Sequence, residues 1–339
     1  MKPVKVAQIS ATHDHALPTF RTMRRLKDVF EVVGFAESST VGVAGNPVLN
    51  QEADYDQVPR YTVEELLEMP DLEAVAIECE EENATAIAQR FAEKGIAIHL
   101  DKPGSQNIKS FEKLIATCRE KNVPFHQGYM YRYNPSVKHL LNMVKNGELG
   151  EIYAVEAHMD CWHPVKKRQW LSKHQGGMMY FLGCHLIDMI LQIQGDPEEI
   201  IPMNMATGLD GVTGEDYGFA VLKYKNGLSF AKTCAAEMNG YLRRQLVVCG
   251  SKGTYKIEPW EKPYENVQYS PTRVAFVNDQ ARSWRTDFSV PLEFPPKDRY
   301  DEMMHSFAEI VRGAENPYSY DYELKVFHAV MKASGYTGE

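Results

Sequence analysis

The chain has 339 residues, of which 44% are hydrophobic and 24% charged, values that are ordinary for a globular protein of two domains. Its formal net charge of −9 argues against a nucleic-acid partner, because phosphates are bound by clustered Lys and Arg, and no apolar run is long enough to cross a membrane. The start of the chain shows no signal-peptide pattern and the six scattered cysteines show no metal-binding spacing, so the sequence predicts a cytoplasmic protein without a metal site.

The first part of the chain, up to residue 125, alternates between strand and helix patterns. Strands are predicted at residues 4–9, 31–36, 73–79, 95–100 and 123–127. Helices are predicted at residues 17–29, 63–68, 83–94 and 107–121, the last with Asn107 as its N-cap. Strands that alternate with helices of this length form βαβ units, so this part is predicted to be an α/β domain with a parallel, doubly wound sheet.

The pattern changes after residue 125. The predicted elements are, in order, a helix at 135–146, a strand at 151–161, a polar and aromatic-rich loop at 162–175, a helix at 185–193, successive strands from 199 to 258, a strand at 273–277, and helices at 300–312 and 321–334. Consecutive strands separated by turn signals form antiparallel sheets. We therefore predict a second, α+β domain at residues 126–339.

The tripeptide Asp101-Lys102-Pro103 follows the predicted strand at 95–100. Proline removes a backbone donor, so the strand ends there. Because open α/β sheets bind ligands at the carboxyl ends of their strands, Lys102 is predicted to point into the ligand crevice. Taken alone, the tripeptide favours a surface lysine in an ordinary strand-to-loop turn, because a short motif match is weak evidence by itself.

Four motifs in the same order make the chain similar to the Gfo/Idh/MocA oxidoreductases, a family of NAD(P)-dependent dehydrogenases that act mostly on sugars and cyclitols. They are the first strand Val4–Ile9, the tripeptide at the family's (E/D)-K-P position, the run from Gly128 to Pro135 followed by Gly147 to Ile152, and Gly176-Gly177 followed by Gly183-Cys184-His185-Leu186-Ile187-Asp188. The resemblance covers essentially the whole chain. It implies a Rossmann dinucleotide-binding domain at 1–125, and a substrate-binding and oligomerisation domain with a large open, mainly antiparallel sheet at 126–339.

The resemblance implies two catalytic residues, Lys102 and His185. Lys102 would contact the reacting hydroxyl, orient the nicotinamide and stabilise the alkoxide that forms as hydride leaves. His185 would be the general base, because the ordinary pKa of an imidazole lies near neutrality. The alternative is that His185 is a packed histidine at the start of a helix, without a catalytic role. Asp188, three residues later, either orients the His185 ring or faces substrate hydroxyls.

The phosphate loop is where the chain departs most from the family. The family has G-x-G-x-x-G, whereas residues 10–15 read Ser-Ala-Thr-His-Asp-His, without the glycines that let a backbone approach a pyrophosphate. We expect the hydroxyls of Ser10 and Thr12 and the rings of His13 and His15 to replace some of those contacts. Asp14 would repel a diphosphate unless it is turned away, and loss of the cofactor is an open alternative.

Glu37, at the end of the second predicted strand, bears on the choice of cofactor. A carboxylate about 20–25 residues beyond the phosphate loop accepts the ribose hydroxyls of NAD and repels the 2′-phosphate of NADP. We therefore expect NAD, with NADP less favoured. On the sequence alone Glu37 is equally well a solvent-facing glutamate.

The remaining site residues are substrate contacts and one substitution. Phe181 stands where the family usually has an Asp, so the base would need another partner, such as Asp188, or the pocket would take a different substrate. Tyr131 and Arg132 fall near the start of the second domain, where they would contact the substrate. The alternative for Arg132 is a structural role. His163 and Trp170 lie in the aromatic-rich loop, which serves a polyol site or a dimer contact.

These features predict an enzyme that transfers hydride to or from a secondary hydroxyl of a sugar, sugar acid or cyclitol. Two alternatives are a non-catalytic sensor or binding protein that has lost its cofactor, and a lyase or glycosidase that uses tightly bound NAD. The open sheet of the second domain has a face that must be covered, so we expect a homodimer or homotetramer. Apart from further copies of itself, the chain is expected to bind a small polyol or sugar as its substrate.

Overall fold

The structure is a computed structural model that describes residues 2–37, 52–264, 267–277 and 288–336. The chain divides into two compact units. The first consists of Met1–Tyr129 and Tyr300–His328, and the second of Met130–Arg299 and Ala329–Glu339. Within the described ranges, no helix combines the length and the apolar character that crossing a membrane requires.

The first unit is built on a six-stranded parallel sheet. Its strands are β1 (Val4–Ile9), β2 (Phe30–Ala36), β3 (Arg60–Tyr61), β4 (Ala74–Ile77), β5 (Ala97–Leu100) and β6 (Phe125–Gln127). Its first helices are α1 (Ala16–Arg25), α2 (Glu52–Tyr55), α3 (Val63–Leu67), α4 (Glu81–Lys94) and α5 (Ile108–Lys121). The strand order is β3-β2-β1-β4-β5-β6, with every neighbouring pair parallel. The strand order reverses at β1, which is where such sheets bind ligands, and the predicted doubly wound fold is confirmed.

Local residues explain where several helices of this unit begin and end. The Asn107 side chain accepts the N–H of Ser110 at 3.0 Å, which caps α5 as predicted. Thr62 and Glu65 form a capping box at the start of α3. Gly95 ends α4 with a φ of 81°, a left-handed conformation that glycine adopts without steric cost.

The second unit is built on an eight-stranded mixed sheet. Its helices are α6 (Pro135–Lys145), α7 (Val165–Leu171) and α8 (Cys184–Gln194). Its strands are β7 (Ile152–His158), β8 (Glu199–Pro202), β9 (Tyr217–Tyr224), β10 (Gly227–Cys234), β11 (Gln245–Gly250), β12 (Gly253–Ile257), β15 (Thr272–Phe276) and β16 (Val290–Leu292), with β13 (Lys262–Tyr264) and β14 (Val267–Tyr269) as a separate hairpin. The order is β16-β15-β12-β11-β7-β10-β9-β8, antiparallel except where β7 meets β10. The predicted α+β class is confirmed, and α8 packs on β7 and β10.

The predicted loop at residues 162–175 contains a helix, α7. Pro164 precedes it, in keeping with the preference of proline for helix starts. Lys167 and Arg168 are buried in α7 together with Trp170 and Leu171. Because two of its four buried positions are cations, the buried face of this helix does not show as an apolar pattern in the sequence. A π-helical turn at Met179–Gly183 leads directly into α8.

The two terminal helices are α9 (Asp301–Val311) and α10 (Tyr320–Ala333). The domain division drawn from the sequence places them in the second domain, whereas residues 300–328 group with the first unit. The reason is aromatic packing: the ring of Phe307 lies 5.5 Å from that of His99, and Phe327 stacks on Phe111 at 4.0 Å. These contacts join residues that are far apart in the chain, which local patterns do not reveal.

Candidate active site

The loop after β1 occupies the position of a phosphate loop. Ser10 has a φ of 67°, in the left-handed region where glycine is the usual residue. Its hydroxyl lies 3.2 Å from that of Thr12, and Thr12 Oγ1 accepts the N–H of Glu80 at 3.2 Å. The backbone therefore turns at Ser10 as it would at a glycine, while the two hydroxyls bond within the loop and to the segment after β4.

Two imidazoles of this loop meet one carboxylate. His13 Nδ1 is in direct contact with Asp101 Oδ2, and His15 Nδ1 lies 3.1 Å from both carboxylate oxygens of Asp101. Burial lowers the pKa of His15 to about 4, although Asp101 acts to raise it. Burial acts to raise the pKa of Asp101, but the two histidines outweigh it and hold that pKa well below its usual value. The rings predicted to face a pyrophosphate are thus engaged with Asp101.

Lys102 follows Asp101 at the end of β5, and its side chain is only 1% exposed. Its backbone N–H donates to Asp101 Oδ1 at 2.8 Å, and the side chain of Gln127 donates to the Asp101 carbonyl at 3.0 Å. The Lys102–Pro103 peptide bond is cis. A lysine is rarely buried this completely unless its charge is paired, so its enclosure at the carboxyl edge of the sheet makes Lys102 a candidate functional residue.

Glu37 lies directly after β2 and is exposed. Its carboxylate is 4.0 Å from the guanidinium of Arg60. Arg60 also pairs with Asp56 at 2.7 Å and lies over the ring of Phe35. The end of β2 therefore presents an accessible carboxylate with a cation beside it. The sequence indicates the negative charge of Glu37 but not the positive charge of Arg60 next to it.

In the second unit, α8 carries both His185 and Asp188. His185 is buried, and its ring meets the ring of Tyr131 edge-on at 4.9 Å. Asp188 accepts from Nε and Nη2 of Arg132 at 3.0 and 2.9 Å, and from Gln192 at 2.9 Å. This buried, two-pronged ion pair joins the turn that contains Arg132 to α8. Arg132 thus makes a structural contact, which is the alternative to substrate binding that the sequence left open.

Tyr131 belongs to a cluster of buried charges that sequence reasoning missed. Its hydroxyl donates to Glu261 at 2.6 Å and accepts from Arg244 at 3.1 Å. Burial acts to raise the pKa of Glu261, but Arg299 and Arg244 lower it overall. These residues come from separate, irregular parts of the sequence, so no motif signals the cluster. The hydroxyl of Tyr131 is therefore bonded within the protein.

Phe181, at the position of the family's carboxylate, packs against the buried Lys167. The ammonium nitrogen of Lys167 lies 4.4 Å from the ring centre of Phe181 and 4.1 Å from that of Trp170. The two rings meet edge to face at 5.5 Å. Aromatic faces attract cations, so this region of the second unit encloses a positive charge where the family pattern predicts a negative one. Nothing in the sequence pairs Lys167 with these rings.

The other predicted substrate residue, His163, is half-buried, and its backbone N–H donates to the carbonyl of Ala235 at 2.7 Å. Nearby in the sequence, Asp160 pairs with Lys232 at 2.9 Å, and burial raises the pKa of Asp160 to about 6. Among the predicted site residues, the structure brings together those of the loop after β1 with Lys102, and those of α8 with the turn before α6. These two sets of contacts include neither His163 nor Glu37.

The chain matches known oxidoreductases in its sequence. Residues 11–129 match the model of an oxidoreductase family with an NAD-binding Rossmann fold, and residues 137–256 match the Gfo/Idh/MocA C-terminal domain. The uncharacterized oxidoreductase YhhX of Escherichia coli is 26% identical over 207 residues, which are 59% of this chain and 59% of that protein. The trans-1,2-dihydrobenzene-1,2-diol dehydrogenase of Bos taurus is 26% identical over 210 residues, 60% of either protein.

The fold matches solved structures over nearly its whole length. The aldose-aldose oxidoreductase from Caulobacter crescentus, complexed with glycerol, has a TM-score of 0.76 at 17% identity, covering 98% of this chain and 97% of that one. The two curated relatives are matched over less than two thirds of their own length. Since the two family models match in order along the chain, one in each unit, the protein belongs to the Gfo/Idh/MocA family of oxidoreductases, enzymes with an NAD-binding Rossmann domain.

Proposed function

We propose that the protein is an NAD-dependent dehydrogenase that transfers hydride to or from a secondary hydroxyl of a sugar, sugar acid or cyclitol. The observation that carries the proposal is Lys102, an almost fully buried lysine at the carboxyl end of β5 in a sheet with the strand order of dinucleotide-binding domains. The names of two relatives, a dihydrodiol dehydrogenase and an aldose-aldose oxidoreductase, support a hydroxylated substrate.

The first unit fits a dinucleotide in two respects. The backbone at Ser10 has the conformation of a glycine turn, and Glu37 follows β2 where a carboxylate accepts ribose hydroxyls. When bound, the nicotinamide ring supplies the hydride acceptor or donor. Glu37 favours NAD because it would repel the additional phosphate of NADP, while Arg60 beside it weakens that preference.

The two catalytic roles follow from charge and proton chemistry. The ammonium group of Lys102 would contact the substrate oxygen and stabilise the negative charge that develops there when the C–H bond breaks. His185 would take the hydroxyl proton during oxidation and return it during reduction. The edge-on contact with Tyr131 restricts the orientation of the His185 ring. Asp188 would act indirectly, because its contact with Arg132 anchors the helix that carries the base.

A second candidate is a sensor or binding protein that works without the cofactor. The observation that favours it is the loop after β1, which lacks the glycines of a pyrophosphate-binding loop and whose His13 and His15 contact Asp101. The two candidates differ in one measurable property, since only the dehydrogenase requires the charge of Lys102 for turnover.

We expect Lys102→Met to abolish NAD-dependent oxidation across a panel of polyols and sugar acids while leaving the circular dichroism spectrum unchanged. Methionine keeps the length of the side chain but removes the charge that stabilises the alkoxide. The matched control is Lys94→Met, which removes a surface ammonium group paired with Glu68 at 2.8 Å. Retention of more than about a tenth of the activity by Lys102→Met would rule out the assigned role.

A further inference from the structure

The cluster formed by His13, His15 and Asp101 consists of donors that transition metals bind. Each residue offers one ligand atom, and these atoms all lie within 4.8 Å of one another. Imidazole nitrogens and carboxylate oxygens are ordinary zinc ligands. The proposed hydride transfer assigns a role to Lys102 but none to this set of three donors, so the cluster calls for its own explanation.

The distances within the cluster suit a metal ion. In a tetrahedral site with bonds of about 2.1 Å, neighbouring ligand atoms are about 3.4 Å apart. His15 Nδ1 lies 3.1 Å from each oxygen of Asp101. The rings of His13 and His15 are 4.9 Å apart with an angle of 62° between their planes, so they approach the carboxylate from different directions. To admit an ion, the closer contact between His13 and Asp101 would have to lengthen, and the hydrogen bond that the His15 backbone N–H donates to His13 Nδ1 at 3.3 Å would have to open.

The charges around the cluster also favour a cation. Glu78, Glu81 and Asp101 are all buried. Glu81 Oε1 lies 3.8 Å from His13 Nε2. Buried carboxylates are normally paired with cations or coordinate metals. Lys102, buried next to Asp101 in the chain, is the competing cation.

The positions of the histidine rings suit coordination. His15 Nδ1 is directed at both oxygens of the Asp101 carboxylate. His13 has one ring nitrogen directed to Asp101 and the other towards Glu81. The backbone N–H of His13 donates to the carbonyl of Glu78 at 3.1 Å, which fixes this part of the loop to the segment after β4.

We propose that His13, His15 and Asp101 bind one divalent transition-metal ion, such as Zn²⁺ or Co²⁺. Three protein ligands leave a fourth position for water or another oxygen ligand, as in zinc sites that are not purely structural. This proposal does not depend on the proposed dehydrogenase activity, because ion binding needs neither the cofactor nor a substrate.

The test is a titration of the full chain, freed of any affinity tag and stripped of metal by a chelator, with Zn²⁺ and Co²⁺. Calorimetry and the visible absorption of Co²⁺ are expected to show one ion per chain bound through nitrogen and oxygen ligands. His15→Ala, and His13→Ala combined with it, are expected to weaken binding by about tenfold or more. His328→Gln is the matched control, because it removes a surface histidine paired with Glu112 at 3.0 Å.

The proposal is overturned if the unmodified chain shows no saturable binding, if the histidine variants bind as tightly as the unmodified chain, or if the Co²⁺ spectrum shows thiolate ligands. A second measurement, thermal unfolding, distinguishes a variant that has lost metal binding from one that fails to fold. Saturating Zn²⁺ should raise the midpoint of thermal unfolding of the unmodified chain and of His328→Gln, but not that of His15→Ala. Since no nucleotide is present, failure here leaves the dehydrogenase proposal untouched.

Discussion

Asp101 and Lys102 stand side by side at the end of β5 with opposite charges. The Asp101 carboxylate is in contact with both loop histidines and also accepts the backbone N–H of Lys102. It thereby holds the turn from which the lysine side chain extends. The loop after β1 and the end of β5 therefore form one connected cluster.

We propose that the choice between NAD and NADP depends on Glu37. We expect Glu37→Ala to lower the affinity for NADH by about tenfold or more, because hydrogen bonds to charged groups contribute about 1.5–3 kcal/mol. The affinity for NADPH should hold or rise, since Arg60 lies 4.0 Å from the removed carboxylate. Fluorescence titration with both nucleotides measures the change.

Asp56→Ala is the matched control for that experiment. Asp56 is the other carboxylate paired with Arg60, at 2.7 Å, and has no proposed contact with the ribose. An equal loss of NADH affinity in both variants would show that Glu37 acts only through the local charge, and a parallel loss of NADPH affinity would contradict its role in choosing the cofactor.

Among the elements, α8 depends on the buried pair of Arg132 and Asp188. Removing one partner of such a pair leaves an uncompensated buried charge and costs about 3–5 kcal/mol. We therefore expect Asp188→Leu to lower the free energy of unfolding by this amount, and Arg132→Met combined with it to restore most of the loss. Urea denaturation followed by tryptophan fluorescence measures both. Single and double variants of equal stability would show that the pair does not anchor α8.

The strands β5 and β6 make the first unit sensitive to acid. His99 and His126 are buried with their Nδ1 atoms 2.7 Å apart, and burial lowers the pKa of His99 from 6.5 to about 4. With a folded-state pKa below the unfolded value, the unfolded chain binds the proton more readily. The stability due to the neutral ring is therefore complete above pH 6.5 and is lost as the pH falls towards 4.

We accordingly expect the free energy of unfolding to fall between these two pH values, by about 1.4 kcal/mol per pH unit for each such histidine. His99→Gln should show a shallower slope in urea denaturation across the same range. His305→Gln, which changes an exposed histidine in α9, should keep the slope of the unmodified chain. Identical slopes for His99→Gln and the unmodified chain would contradict this account.

At the scale of the whole molecule, the open face of the eight-stranded sheet raises the question of assembly. Phe219 and Phe230 stack at 5.5 Å on this sheet, His158 meets Phe230 at 5.3 Å, and all three are only half-buried. We propose that a second copy of the chain covers this face, giving a homodimer or homotetramer. Light scattering should then report at least twice the mass of one chain, and Phe230→Lys should shift the mass downwards. A monomer at micromolar concentration would contradict the proposal.

The sequence predicts much of the fold because its signals are local. The apolar runs of β1, β4 and β5 and the capping residue Asn107 need only neighbouring positions to be recognised. The helix α7 is not predicted, since Lys167 and Arg168 lie on its buried side. A local pattern carries no information about which cations a fold will enclose.

The candidate site is predictable in its residues but not in its contacts. The family motif identifies Lys102 and His185 from short segments. The meeting of His15 with Asp101 joins positions 86 residues apart, and the bond from Tyr131 to Glu261 joins positions 130 apart. Such contacts depend on the order of strands in a sheet and on the paths of loops, which the sequence pattern leaves open.

The most direct test of the dehydrogenase account is a titration of the unmodified protein with NADH and with NADPH, by calorimetry or nicotinamide fluorescence. We expect saturable binding of NADH in the micromolar range, tighter than that of NADPH, despite the absence of glycines from the loop after β1. Failure to bind either nucleotide would contradict it, and would mean that this Rossmann domain works without the cofactor.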